Sequence, residues 1–382
     1  MPKVGIATIP LDYGHCPRWL FERMKRLSKG IITAIVEEFG PEEVLKRFSD
    51  PVWFQSLGCV IGFDYNSSGL TTTTLGAVKT ALFDIQDRLG IFVCGGKRES
   101  RKTPEEIQAY GISRGFSFFP ELIYASRMTA KVDSSLIQNL QYSFHLYQHN
   151  FIFTKDGQWA VIQQAMSPET QTARRYHWLS SRLGKSQEKS DFIEEPHAGI
   201  ASQIKVKPLN LTAKESDKNR ETSVEMVKEE PKKFLKDLGL IQTKRSKNLA
   251  KMELYNKEFY WHPVAEEKFD LKRLEKTIFF ANETRPRNFE ELLSLKGVGP
   301  KTIRALSLVS ELIYGAKPSY EDPARYSFSH GGKDGTPYFP RSEEMDLTIE
   351  ILEKGIQRAK IETKEKNSAI RRLRNLQLYE QK

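Results

Sequence analysis

A chain of 382 residues is long enough for two or three domains with real cores, and 28% charged against 39% hydrophobic residues is a soluble globular balance. A net charge of +10 draws such a protein toward nucleic acid or anionic surfaces. Cys16, Cys59 and Cys94 exclude a disulfide framework and a four-cysteine zinc site, and with no bilayer-length apolar run and no signal-peptide pattern, a reducing cytoplasm and no membrane partner are expected.

Trp19 to Glu38 predicts a helix with Arg18, Arg23, Lys25, Arg26 and Lys29 on one side, and Pro41 to Phe48 a short second helix. Cys59 to Phe63 predicts a buried strand. The stretch from Asp64 to Thr74 follows it with an acid, Gly69 and the hydroxyls of Ser67, Ser68, Thr71 and Thr72. A strand, such a loop and a helix together can hold an anion or a metal. No Gly-Lys-Ser/Thr closes it, so it is not a P-loop, and the same hydroxyls would also cap the helix predicted over Leu75 to Leu89.

Ile91 to Cys94 predicts a second strand, opening into Gly95, Gly96, Lys97 and a basic loop suited to phosphate. Ser126 to Ser135, taken as extended, places Arg127, Lys131 and Asp133 on one face. His145 and His149 would share a helix face, as metal-binding histidines or as satisfied ones. Phe151 to Lys155, Asp156-Gly157 and Gln158 to Gln163 form a strong hairpin signal. Arg174 to Trp178 mixes cations with aromatics, which suits nucleic acid or a core. The sum is an α+β domain over 1–183, an antiparallel sheet covered by helices.

Residues 184–233 turn polar and predict a linker or extended loop, partly disordered between Thr212 and Pro231. Residues 234–382 predict an all-helical module. At its centre Phe289 to Leu295 reads as a short helix, Gly297-Val298-Gly299 as a turn needing permissive backbone angles, and Pro300 as the start of a second helix ending at Gly315. A helix start offers free N–H groups and a positive dipole to an anion. Gly297, Gly299, Lys301, Thr302 and Arg304 are therefore candidates for gripping a DNA phosphate, against the plain alternative of a glycine turn between core helices. The tail carries Arg371, Arg372 and Arg374 on a predicted basic helix, as further DNA contacts or as a solvated terminus.

The pattern around Gly297 resembles the helix-hairpin-helix of DNA repair glycosylases, nucleases and recombinases. Further motifs are Asp12-Tyr-Gly-His-Cys-Pro-Arg-Trp-Leu, Ser67-Ser-Gly-Leu-Thr-Thr-Thr, Val93-Cys-Gly-Gly-Lys, Ser126-Arg-Met-Thr-Ala-Lys-Val-Asp, Trp159-Ala-Val-Ile-Gln-Gln and Asp322-Pro-Ala-Arg-Tyr-Ser-Phe-Ser-His-Gly-Gly-Lys-Asp-Gly. Together they resemble the archaeal and bacterial family catalogued as domain of unknown function 763, over roughly residues 1–360. The resemblance implies a prokaryotic protein with a suspected role in DNA processing.

The expectation is a metal-dependent nuclease of repair or replication, with DNA and repair or replication proteins as partners. Asp64 and Asp133 would hold Mg²⁺ or Mn²⁺, Lys97, Arg127 and Lys131 would stabilise charge, and His149 would act as base. The alternatives are a non-catalytic DNA-binding scaffold and a glycosylase using Asp322.

Overall fold

The computed structural model describes residues 5–7, 16–63, 68–97, 102–139, 144–183, 192–202, 206–243, 267–324, 326–328, 342–358 and 362–378. Strand β1 is Gly5–Ala7, followed by helices α1 (Arg18–Phe39), α2 (Pro41–Ser49), α3 (Pro51–Ile61), α4 (Ser68–Leu82) and α5 (Gln86–Leu89). Then come β2 (Ile91–Lys97), α6 (Thr103–Arg114), α7 (Phe119–Ser135), β3 (Ile137–Asn139), β4 (His145–Thr154), β5 (Trp159–Ser167), β6 (Thr172–Leu179), β7 (His197–Ser202) and β8 (Pro208–Asn210). The remainder is α8 (Asp217–Glu229), α9 (Pro231–Thr243), α10 (Leu271–Thr284), α11 (Phe289–Ser294), α12 (Pro300–Tyr314), β9 (Tyr326–Phe328), α13 (Ser342–Arg358) and α14 (Thr363–Leu378).

Among the described residues a seven-stranded sheet in the order β1-β9-β7-β6-β5-β4-β2 separates two layers of helices, and a β3-β8 ribbon stands apart from it. Strands β7, β6, β5, β4 and β2 run antiparallel, whereas β1 and β9 add in parallel. The fold is α+β, as the sequence predicted. The Asp156-Gly157 turn joins β4 to β5, closed by the Thr154 N–H donating to the Gln158 carbonyl at 2.9 Å.

Alternation along the strands feeds two cores. Ile91, Val93, Ile152, Ala160 and Ile162 face one side, where Met24, Ile31, Phe48, Phe54, Leu75, Leu352 and Leu373 cover them from α1–α4, α13 and α14. Phe92, Cys94, Phe151, Phe153, Val161 and Trp178 face the other, packed with Met128, Val132, Val227, Ile278, Leu292 and Val309 from α7, α8 and α10–α12. The helices expected as a separate C-terminal module thus contribute to both layers.

Several local expectations are corrected. Cys59 lies in helix α3, not in a strand. Asp50 caps that helix by accepting from the Val52 and Trp53 N–H groups at 2.8 and 3.3 Å, and Pro51 starts it. A buried helix is apolar all round and reads locally like a strand. The segment from Ser126 is helical in α7, and His145 and His149 lie on strand β4. The polar stretch expected to be a linker supplies β7 to the sheet, β8 to the ribbon and α8 to a core. Asn219 there donates to the Ser307 and Ala316 carbonyls, and Arg220 to those of Leu211 and Ala213.

Candidate functional site

On the face of the sheet shared with α7, Asp133 is a fully buried carboxylate with three donors. Trp178 Nε1 donates to Oδ2 at 3.0 Å, Gln163 Nε2 donates to the same oxygen, and His197 Nε2 lies 2.5 Å from Oδ1. Gln163 is fixed from both ends. Its amide also donates to the Thr129 carbonyl at 2.9 Å, and its Oε1 lies 2.7 Å from His149 Nδ1. Ser126 Oγ closes the chain at 3.1 Å from His149 Nε2. Gln163 Oε1 can only accept, so His149 donates through Nδ1 and receives the serine proton at Nε2. Burial lowers the His149 pKa, which keeps this ring neutral in that role.

His197 is the member of this network that reaches solvent. It lines a cleft of about 740 Å³ formed by the start of α3, the N-terminal half of β7, the Asn210–Glu215 segment and the Ser319–Pro323 segment. Donation from Nε2 to Asp133 leaves Nδ1 as the proton-accepting nitrogen, with no partner among the described residues. The ring is also held edge-on against Trp178, 4.4 Å between centroids. Glu195, two residues before it, lines the same cleft with a left-handed φ of 43°. A non-glycine residue there costs about 1–3 kcal/mol, and such strain gathers at functional sites. Asp50, Glu215, Glu321 and Asp322 also line the cleft against Lys46 and Arg182, so it is net acidic. Asp322 is committed at its other side to buried Arg174 at 2.6 Å and to the Val206 and Ala324 N–H groups at 3.0 and 2.9 Å.

The second feature is the turn between α11 and α12. Gly297 has a φ of +89°, and a Cβ on it would lie 3.2 Å from Thr277 Oγ1 of α10. Helix α12 starts at Gly299-Pro300 with no side-chain cap, so its first N–H groups have no intrahelical acceptor. Lys296 and Lys301 flank that start, exposed, and Arg273 lies one turn along α10 from Thr277. None of the three pairs with a carboxylate among the described residues. The turn is held from behind by Lys131, whose Nζ donates to the Leu293 and Leu295 carbonyls at the end of α11. Burial lowers the Lys131 pKa to about 8.

A family model described as "Protein of unknown function (DUF763)" matches residues 5–340. The chain belongs to the DUF763 family. No curated protein and no solved structure matches it.

The residues expected to form one site in this DUF763 chain are dispersed. Asp64 and Ser67 lie outside the described residues. Asp133 does not fit a metal ligand, because its oxygens already accept from three side chains, and no three His, Cys, Asp or Glu among the described residues converge as a metal centre. Arg127 is exposed on α7, and Lys131 serves the turn instead of Asp133. Gly95 and Gly96 are in strand β2, opposite Asn150 and His149, and Lys97 is exposed at the strand's end. Ser68, Gly69, Thr71 and Thr72 form the first turns of α4. There Thr71 donates to Gln164 at 2.6 Å and receives Arg175 at 3.2 Å, while Thr72 donates to the Gly69 carbonyl at 3.1 Å.

At the turn Lys301 is exposed and Thr302 is buried. Arg304 is taken up by Glu267 and Gln138. Of the tail, Arg371 is exposed and Arg372 donates to the Val60 carbonyl at the end of α3, at 3.1 and 3.0 Å; the Arg374 side chain is outside the described residues. His197 was missed because it sits in the stretch read as linker. The usable signal was Ile193-Glu-Glu-Pro-His-Ala-Gly-Ile-Ala-Ser202, where a proline is followed by small and apolar residues in strand-like alternation.

Proposed function

We propose that this DUF763 protein binds the DNA backbone at the Gly297–Lys301 turn and hydrolyses a phosphodiester bond in the His197 cleft. The observation that carries the DNA reading is the uncapped start of α12, flanked by the exposed Lys296 and Lys301, with Arg273 on the neighbouring α10, none paired with a carboxylate among the described residues. N–H groups with no acceptor in the helix, a helix dipole and exposed cations meet there beside Gly299, whose Cβ position is open, and these support reading the turn as a helix-hairpin-helix phosphate site.

In the cleft, His197 Nδ1 is the atom that takes the proton from an attacking water, and Asp133 stabilises the imidazolium formed. The net acidic lining would repel a bare phosphodiester. Mg²⁺ or Mn²⁺ is therefore expected to enter with the substrate, since Mg²⁺ is commonly held by one or two carboxylates, waters and substrate phosphates instead of a full protein cage. The 15-residue helix α12 spans about 22 Å between the turn and the segment leading to the cleft, the length of about six base pairs.

The test is cleavage of end-labelled duplex DNA with Mg²⁺, Mn²⁺ or EDTA. Metal-dependent products should fall by roughly 10²–10⁴-fold in His197→Ala with DNA affinity retained. In Lys301→Glu, affinity and the salt slope of binding should fall together. Binding by the wild type with no product under any metal would leave a scaffold role and refute the hydrolytic reading. Equal cutting by His197→Ala would remove His197 from it.

A further inference from the structure

The start of α1 carries an aromatic and basic surface on the layer opposite the turn. Trp19 is 61% exposed. The Arg23 guanidinium lies 5.2 Å from its ring centroid and covers one face. Arg18, Arg23 and Arg26 are exposed along this end of the helix, and no acidic residue stands in its first turn. Glu365 answers Arg23 at 3.1 Å and Arg26 at 2.6 Å with one carboxylate, and Glu22 is taken by Lys25 at 2.9 Å, so a positive excess remains. The α14 helix adds to it. Its start is pinned by Glu365, and its Arg372 reaches Val60, two residues before the Gly62 that packs near Leu20. Exposed Lys364 and Arg371 belong to this same layer. The N-cap of α1 is Pro17, whose carbonyl receives the Leu20 and Phe21 N–H groups at 3.0 Å, while those of Arg18 and Trp19 have no acceptor within the helix.

We infer that Trp19 and its arginines form a stacking platform for an unpaired base of single-stranded DNA, with the adjoining phosphate at the start of α1. An indole offers a flat face to any base, and arginine beside it adds charge and a second planar group. The net positive charge around the indole complements a phosphate-bearing strand. The inference rests on the DNA reading above and narrows its substrate to DNA with a single-stranded part. The turn and the platform lie on opposite layers of the sheet. A flexible single strand leaving a duplex held at the turn can bend round to the platform, which a stiff duplex cannot.

Trp53, Trp159 and Trp178 are buried, so in a Trp261→Phe background Trp19 is the exposed indole among the described residues. Titrating oligo-dT into that protein should quench its emission, and Trp19→Phe should remove the quench. Trp19→Ala should weaken oligo-dT binding by roughly five- to a hundredfold and leave blunt-duplex affinity and its salt slope unchanged. Lys301→Glu should do the converse, weakening duplex binding and sparing the quench. Duplex affinity unchanged in Lys301→Glu, with the quench intact, would overturn the turn and keep the platform. An unquenched Trp19, or equal oligo-dT affinity in wild type and Trp19→Ala, overturns the platform whatever happens at the turn.

Discussion

His149 and His177 are buried on opposite faces of the sheet, and each is held neutral by its partners. His177 donates from Nδ1 to the Phe48 carbonyl at 2.8 Å and accepts from Arg175 Nε at 2.9 Å, so neither nitrogen is free for a second proton. Burial lowers both imidazole pKa values, with nearby Arg175 lowering His177 further. A folded-state pKa below the unfolded one means that the unfolded chain binds more protons as pH drops below about 6.5. Stability should be insensitive to these groups above that pH and fall below it, by up to about 1.4 kcal/mol per pH unit for each ring. Urea midpoints at neutral pH and near pH 5 measure this, and a midpoint unchanged by acid would contradict the neutral assignment. Glycine shows the limit of reading at this scale. Cys94-Gly-Gly-Lys suggested a phosphate loop, yet a Cβ on Gly95 would lie 2.1 Å from the His149 carbonyl oxygen, at a φ of +81°. The need is for close approach of β4, and sequence alone does not say which backbone or ligand a glycine admits. Gly95→Ala should lower the melting temperature sharply for that reason.

At the scale of elements, α1, α2, β2 and the β4–β5 hairpin were legible because their period, caps and turn residues are local. The α11–α12 turn was legible for the same reason. Helix α3 was not, since an all-apolar helix has no polar stripe to betray its period. Helix α7 carries a helical apolar period at Leu122, Met128 and Val132, but the alternating charges near Lys131 imitate an extended strand. That helix matters because Lys131 ends the first helix of the turn, donating to two terminal carbonyls that have no partner within α11. Lys131→Met keeps the stem and removes the donor. It should destabilise the protein by about 1–2 kcal/mol and weaken duplex binding without touching DNA. Chemical denaturation alongside fluorescence anisotropy checks both effects. Unchanged DNA affinity would mean that the turn keeps its shape without this clamp.

For the whole molecule, the least legible feature is the meeting of Asp133 with His197, brought together across 64 positions by the sheet and α7. No local pattern encodes that pair, because it depends on β7 joining β6 after a polar excursion. The same topology bears on cooperativity. Neighbouring residues of one strand, such as Phe92 and Val93, belong to different cores, so losing one layer strips one face of every strand that holds the other. Gly355 of α13 tests this from a distance. It sits where α13 crosses α1, and a Cβ there would lie 2.9 Å from Ile31 Cα, a backbone atom that cannot swing away. Gly355→Val should push α13 off α1 and expose the layer that covers Met24 and Ile31, with a loss typical of severe overpacking, about 1–3 kcal/mol or more. The turn at Gly297 lies on the other layer and touches none of these residues. If the sheet couples the layers, thermal loss of duplex binding will shift down with the loss of helical circular dichroism, by the same number of degrees. Duplex binding that outlasts the main unfolding transition would instead make α8–α12 an independently stable unit, and the two cores separable.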